Sequence, residues 1–202
     1  MIKQERALRT HELLLDASAD EFVRHGYAGA NLQRIAGRTG MTKGALYAHF
    51  ASKQQLAAAL TTPFDQAWRE VLDLVEQVDE GNRQPLTALR CITFNLVGLL
   101  HSCLRFRAGL HLVLEEARAR CQPPDVITDL TRALTRLVDE AQRAGQLEQD
   151  HEPAAVSSFV IASVIGTYYT AVAEARLDTL PDRVEDIWHL VMPPPVCDAQ
   201  PG

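Results

Sequence analysis

Four side chains between Thr42 and His49 can donate hydrogen bonds to phosphates or to the edges of bases. They are the hydroxyl, ammonium, phenol and imidazole groups of Thr42, Lys43, Tyr47 and His49. Phosphate oxygens and base edges are the two kinds of group through which proteins bind and read DNA. We therefore expect this stretch to present a polar surface to nucleic acid.

Two short helices joined by a tight turn would position these groups. Leu32 and Ile35 share one face of the first helix at the spacing of a buried stripe. Gly40 follows where the chain must turn, because glycine adopts positive φ without steric cost, and Thr42 can cap the second helix. These features predict a helix-turn-helix at about residues 31–50, whose second helix enters the major groove. An ordinary helical hairpin with a polar outer face is the alternative.

Further cations flank this motif. Lys3 and Arg6 lie at the start of a first helix that is predicted to end near Arg24. They are equally compatible with phosphate contacts and with solvated surface. Residues 52–55 form a capping box that starts a new helix. Lys53 is thereby placed in a first helical turn, where the helix dipole favours a phosphate.

The charge of the chain is unevenly divided. The first 60 residues carry eight Lys or Arg against five Asp or Glu, a balance of +3. The whole chain of 202 residues has a formal net charge of −6, so the remainder carries −9. Charge per domain is the quantity that bears on nucleic-acid binding. The basic first part is therefore compatible with DNA despite the acidic total.

The rest of the chain is predicted to be a helical bundle without strands. Residues 81–85 interrupt the helical period and mark a boundary, and residues 86–106 are apolar on nearly all sides, as is typical of a buried helix. Residues 153–177 are predicted to form one helix, whose uncharged centre at 156–173 approaches the apolarity of a membrane span. Their Ser, Thr and Tyr residues favour instead a helix in a core or at a subunit interface. Residues 193–202 are predicted to be a disordered tail.

No motif for catalysis, a metal or a cofactor is apparent. The four cysteines lie far apart without a CxxC pair, and His101 and His111 lack a matching carboxylate spacing. Neither a nucleophile elbow nor a P-loop is present. The first residues contain no apolar run typical of a signal peptide. We expect a cytoplasmic protein that has no cofactor, does not associate with a membrane and is not an enzyme.

The interior of the second part could hold a small, mostly apolar ligand, because hydroxyls and an aromatic residue are scattered among apolar side chains. A fully packed core is the equally supported alternative. The predicted lining residues are Phe94, Val97, Leu110, Leu114, Leu130, Leu134, Phe159, Ser163 and Thr167. The predicted dimer contacts are Leu137, Val156, Val160, Val164 and Tyr168.

The run TKGALYAHFASKQQL, from Thr42 to Leu56, closely resembles the recognition-helix signature of the TetR family of transcriptional repressors. Residues that match upstream include Phe22, Gly26 and Tyr27, so the resemblance covers about residues 8–68. It implies an all-α protein with an N-terminal three-helix DNA-binding domain and a C-terminal helical-bundle domain for ligand binding and dimerisation.

The second part also resembles the γ-butyrolactone autoregulator receptors, a group within that family that governs antibiotic production. The similar runs are FRAGLHLVLE at 106–115, DEAQRAGQL at 139–147 and VEDIW at 184–188. Leu130 stands where many such receptors have a pocket tryptophan. This departure favours a different effector, such as an antibiotic or its precursor, as an alternative to a butyrolactone.

We therefore predict a homodimeric repressor with a DNA-binding domain over residues 1–62 and a ligand-binding and dimerisation domain over residues 63–192. It would bind a palindromic operator in double-stranded DNA and be released by a small apolar effector. The predicted DNA contacts are Gln33 and Arg34 to bases, Gly44 through a close backbone approach, and Thr42, Lys43, Tyr47, His49, Lys53, Lys3 and Arg6 mainly to phosphates. The alternatives are a ligand-binding or scaffold protein with a vestigial helix-turn-helix, and a regulator without an effector. An enzyme built on a helical bundle is a third and more distant alternative.

Overall fold

A computed structural model of the chain describes residues 2–75 and 84–192. Within these ranges there are only helices and short connections, which confirms the predicted all-α class. The helices are α1 (Ile2–Gly29), α2 (Leu32–Arg38), α3 (Lys43–His49), α4 (Lys53–Asp73), α5 (Pro85–Ser102), α6 (Leu104–Ala119), α7 (Asp125–Arg143), α8 (Pro153–Ala173) and α9 (Leu180–Val191). Most of the predicted break at residues 81–85 and the whole predicted tail lie outside the described residues.

Packing divides the chain into two compact units. The first comprises Met1–Arg69 with Ser102–Asp125, and the second comprises Glu70–His101 with Val126–Gly202. The helix α6 therefore groups with the helix-turn-helix, although it follows α5 in sequence. The predicted domain boundary at residue 62 remains a prediction about function, because units defined by packing need not follow the order of the chain.

The first unit is held together by apolar contacts among α1, α2, α3, α4 and α6. Its buried core includes Leu14, Phe22, Ile35, Leu46, Leu56 and Leu112. The helix α6 packs along α1 and approaches α4 so closely at Gly109 that a Cβ there would lie 2.4 Å from the Cβ of Phe64. Only glycine fits this contact without a shift of one of the helices.

The helix α1 is kinked near its end. Sequence analysis placed the end of the first helix near Arg24. The helix is interrupted close to that point, at Gly26, whose φ is positive (φ 64°, ψ 179°), and a further helical turn follows to Gly29. Glu115 of α6 explains this continuation, because its carboxylate accepts hydrogen bonds from the backbone amides of Tyr27 (2.6 Å) and Ala28 (3.4 Å). These amides begin the new turn, where unpaired N–H groups need an acceptor.

The second unit contains α5, α7, α8 and α9 around its own core. Buried side chains include Leu89, Ile92, Leu137, Val164, Tyr168 and Trp188. The few polar groups inside are paired: the hydroxyls of Thr135 and Ser157 lie 2.7 Å apart, and the Gln142 amide donates to the carbonyls of Glu148 and His151. By length and composition α8 could cross a membrane, a property that it shares with core helices of soluble proteins.

Candidate nucleic-acid interface

The helix-turn-helix forms as the sequence predicts. Asn31 caps α2 by accepting a hydrogen bond from the amide of Gln33 (2.8 Å). The turn passes through Gly40 with φ 69°, and Thr42 caps α3 by accepting from the amide of Ala45 (3.2 Å). Leu46, which is 0% exposed, anchors α3 on the core. The second helix is therefore fixed by a cap at one end and by packing along one side.

The opposite face of α3 is open to solvent. Thr42, Lys43, Gly44 and Tyr47 are all exposed, and the Lys43 ammonium lies 5.8 Å from the centre of the Tyr47 ring. A Cβ added at Gly44 would meet only the Thr42 hydroxyl, at 3.9 Å. The structure thus brings these predicted residues together on one surface, where Gly44 leaves space for the sugar-phosphate backbone of DNA to come close.

His49 belongs to a different environment from its predicted neighbours. It is half-buried, with its ring 6.2 Å from that of His11, which in turn stacks on Phe50 at 4.7 Å. Sequence analysis did not single out His11, because nothing local in α1 indicates a contact with the end of α3. The two imidazoles form one edge of the candidate interface.

Arg34 has partners within the protein, which the sequence did not reveal. Its guanidinium donates to the Glu21 carboxylate (2.8 Å) and to the carbonyl of Gly29 (2.8 Å). Glu21 is 1% exposed and also accepts from the amide of Asn31 (2.9 Å). Burial alone would raise the pKa of Glu21, but the hydrogen bonds from Arg34 and the Asn31 amide hold it below its ordinary value. Arg34 therefore positions α2 against α1, and Gln33, which is exposed, is the freer of the two predicted base-reading residues.

Lys53 likewise binds groups of its own chain. Its ammonium donates to the carbonyls of Ala28 (3.2 Å) and Ala30 (3.0 Å) and lies 4.8 Å from the centre of the Tyr27 ring. An ammonium has three donors, so one remains for a phosphate. The predicted capping box forms beside it, with the amide of Gln55 donating to the Ser52 hydroxyl (3.0 Å).

Two predicted contacts lie near the start of the chain. Arg6 is exposed on α1, and the side chain of Lys3 lies outside the described part of the structure.

Arg105 of α6 was not predicted, yet it holds α1 by donating to the carboxylates of Asp16 (2.7 Å) and Glu12 (2.6 Å). Such a contact links residues about 90 positions apart and leaves no local signal.

Comparison with known proteins identifies this arrangement. The profile of bacterial regulatory proteins of the tetR family matches residues 14–60. A crystal structure of a gamma-butyrolactone receptor (ArpA-like protein) is 31% identical, with a TM-score of 0.69, and covers 92% of this chain and 87% of that one. CprB from Streptomyces coelicolor, in complex with its biological operator sequence, is 30% identical with a TM-score of 0.68 and covers 93% of this chain and 88% of that one.

The chain belongs to the TetR family. It is also 30% identical over 199 residues to the A-factor receptor protein of Streptomyces griseus, an alignment that takes in 96% of this chain and 66% of that receptor. The two resemblances drawn from sequence, to the family and to its butyrolactone receptors, are thereby confirmed. Of these relatives, CprB is known in complex with its operator. This TetR-family chain carries an N-terminal helix-turn-helix and a C-terminal helical domain.

The residues predicted to line an effector pocket are divided between the two units. Leu110 and Leu114 belong to α6 in the first unit, and the other seven belong to the second. Within the second unit, Leu130 and Leu134 line a void of about 10 Å³, and Phe159 and Ser163 line another of about 20 Å³. Voids of this size hold about one water molecule. Ser163 and Thr167 also border an open groove of about 490 Å³ on the second unit. The two alternatives left open by sequence, a pocket and a packed core, therefore both stay predictions.

Four of the five residues predicted at the dimer interface are buried within the single chain. Leu137, Val160, Val164 and Tyr168 are at most 7% exposed within the single chain, and Val156 is half-buried. Side chains buried within one chain offer little surface to a partner, and the five dimer contacts stay a prediction. For the four on α8, periodicity does not distinguish an inner from an outer face, because that helix is apolar all round.

Proposed function

We propose that this TetR-family chain is a homodimeric repressor that binds a palindromic operator through α3. The observation that carries the proposal is the exposed set of Thr42, Lys43, Gly44 and Tyr47 on a helix fixed by Leu46. Hydroxyl, ammonium and phenol groups on one surface suit phosphates and base edges. Gln33, Arg6 and His49 extend this surface, and CprB, a relative of 30% identity, is known in complex with its operator.

The dimer is proposed to form through the outer face of α8. Phe159 and Tyr169 are exposed there, at 51% and 44%, and the small residues Ala162 and Gly166 between them are exposed as well. Small residues let a partner helix come close, and large exposed apolar groups mark an association surface. In such a dimer, two α3 helices about 34–36 Å apart would match half-sites one helical turn apart.

The effector is proposed to be a small apolar molecule bound inside the second unit. Ile92, Leu96, Leu130 and Leu134 surround the void there, so its lining is mainly hydrocarbon. Because that void is closed, the effector would have to bind an expanded state more tightly than the closed one. A γ-butyrolactone is the first candidate, since relatives include an A-factor receptor and a gamma-butyrolactone receptor.

A regulator without an effector is the second candidate. It is favoured by the same closed interior, because a chain that responds to no ligand needs no pocket. The hydrocarbon side chain of Leu130 also offers no hydrogen-bond donor to a lactone carbonyl.

Fluorescence anisotropy of a labelled duplex, taken from upstream of the chain's own gene, tests both parts of the proposal. We expect saturable binding that survives an excess of random duplex, with two protomers bound per palindrome. A 2-acyl-γ-butyrolactone should then lower the anisotropy, whereas the ring-opened hydroxy acid should not. Specific binding that no lactone or antibiotic reverses would favour the regulator without an effector. Absence of specific binding to any upstream duplex would contradict the repressor itself.

A further inference from the structure

The first unit contains a cleft to which no function has been assigned above. It lies between the end of α1, α4 and α6, and we name it the α4–α6 cleft. Its volume is about 580 Å³, within the range of small-molecule sites. The second unit has two voids of about 10 Å³ and 20 Å³ and a shallower groove of about 490 Å³. The α4–α6 cleft lies in the unit that carries α3.

The walls of the α4–α6 cleft differ in chemistry. One wall is hydrocarbon and is formed by small or apolar side chains, which keep the cleft open: Ala57, Ala58, Leu112 and Ala119. The polar groups include two carboxylates of α6, Glu115 and Glu116, together with the Thr61 hydroxyl and the Gln54 amide. No Lys or Arg is among the described residues that line the cleft.

Of the two carboxylates, Glu115 is the one available to a cation. Glu116 is already paired with Arg120 at 2.6 Å. Glu115 accepts hydrogen bonds from the backbone amides of Tyr27 and Ala28, which are neutral. Its negative charge also acts on the imidazole of His111, whose pKa burial and Arg107 nevertheless lower, which favours the neutral imidazole. The amides also fix the position of its carboxylate, and Gly26 allows it to approach the α1 backbone, since a Cβ at residue 26 would lie 2.9 Å from its Oε2.

We propose that the α4–α6 cleft is a second ligand site, selective for an organic cation with an apolar body. The apolar body would cover Ala57, Ala58 and Leu112, and the ammonium group would bind the fixed Glu115 carboxylate. A neutral molecule of the same shape would gain the hydrocarbon contacts without the charged hydrogen bond. The site is independent of the proposed effector in the second unit, so either proposal can fail alone.

Alanine-methyl NMR of the full chain tests this proposal with a matched pair of probes, 3-phenylpropylamine and 3-phenylpropan-1-ol. We expect the amine to shift the methyl signals of Ala57, Ala58 and Ala119 in a saturable way and to leave that of Ala162 in the second unit unchanged. The alcohol should bind about tenfold more weakly, since a hydrogen bond to a charged group contributes on the order of 1.5–3 kcal/mol. Equal affinities for the two probes, or shifts confined to the second unit, would overturn the proposal.

Two variants and a control locate the site. Glu115→Gln keeps an acceptor for the Tyr27 amide but removes the charge, so it should weaken the amine about tenfold and leave the alcohol unchanged. Ala58→Phe fills the cleft from an exposed position and should abolish binding of both probes, which keeps the test valid if Glu115→Gln proves unstable. Glu152→Gln removes a carboxylate from the second unit and should change nothing. Full amine binding by Ala58→Phe would refute the site.

Discussion

Replacing Lys53 by Met separates two roles that the structure gives to one ammonium. Methionine keeps most of the apolar stem and removes the charge. The change deletes hydrogen bonds to the carbonyls of Ala28 and Ala30 and the contact with the Tyr27 ring. Hydrogen bonds to charged groups contribute about 1.5–3 kcal/mol when buried. Because Lys53 is only half-buried, we expect Lys53→Met to lower the free energy of unfolding by about 1–2 kcal/mol.

The second role concerns DNA. If the third donor of Lys53 contacts a phosphate, Lys53→Met should reduce the slope of log K against log salt by about 0.9 per protomer and weaken all sequences alike. The matched control is Lys43→Met: Lys43 is exposed on α3, so its loss should reduce the slope similarly with little effect on stability.

Urea unfolding and salt-dependent anisotropy measure the two quantities on the same preparations. An unchanged free energy of unfolding would refute the structural role of Lys53. An unchanged salt slope, or an altered preference among operator sequences, would refute the phosphate contact.

Three further changes test the fold, its pH dependence and its assembly. The pKa of Glu21 is lowered in the folded state. The ionised carboxylate therefore stabilises the fold above its ordinary pKa of about 4.3, and this stabilisation is lost as the pH falls through the folded value. Glu21→Gln should accordingly show a weaker acid dependence in urea unfolding from pH 6 to 3. Gly109→Ala should lower the free energy of unfolding by about 1–3 kcal/mol in thermal unfolding, because the new Cβ would overlap Phe64. The control Gly98→Ala places its Cβ in open space and should leave the stability unchanged or raise it. Equal effects of the two substitutions would contradict the close contact between Gly109 and Phe64. Phe159→Glu should shift sedimentation from dimer to monomer, and an intact dimer would contradict the proposed interface.

The helix-turn-helix could be read from the sequence because its determinants are local. Ile35 and Leu46 are buried, Gly40 has positive φ, and Thr42 caps α3. Each of these features depends on neighbours within about one helical turn, where helix periodicity and capping rules apply. The exposed face of α3 followed from the same periodicity.

Contacts between distant segments could not be predicted. The restart of α1 after Gly26 depends on Glu115, which is 88 positions from Tyr27. The partners of Arg34 and Lys53 lie on α1 or directly after it. A cation in an N-terminal helical turn or beside a turn reads as a candidate phosphate contact until its intramolecular acceptors are known. Similarly, the inner and outer faces of α8 differ only in what packs against them.

The most direct test of the central claim compares binding of an upstream operator duplex by the natural chain and by Lys43→Ala/Tyr47→Ala, at several salt concentrations. Both side chains are exposed on α3 and contribute little to the core, so the variant should remain folded. We expect it to bind the operator and random duplexes more weakly and with a smaller salt slope, while keeping the α-helical circular dichroism and the dimer of the natural chain. Unchanged operator affinity and salt slope in the variant would contradict the claim that α3 binds DNA.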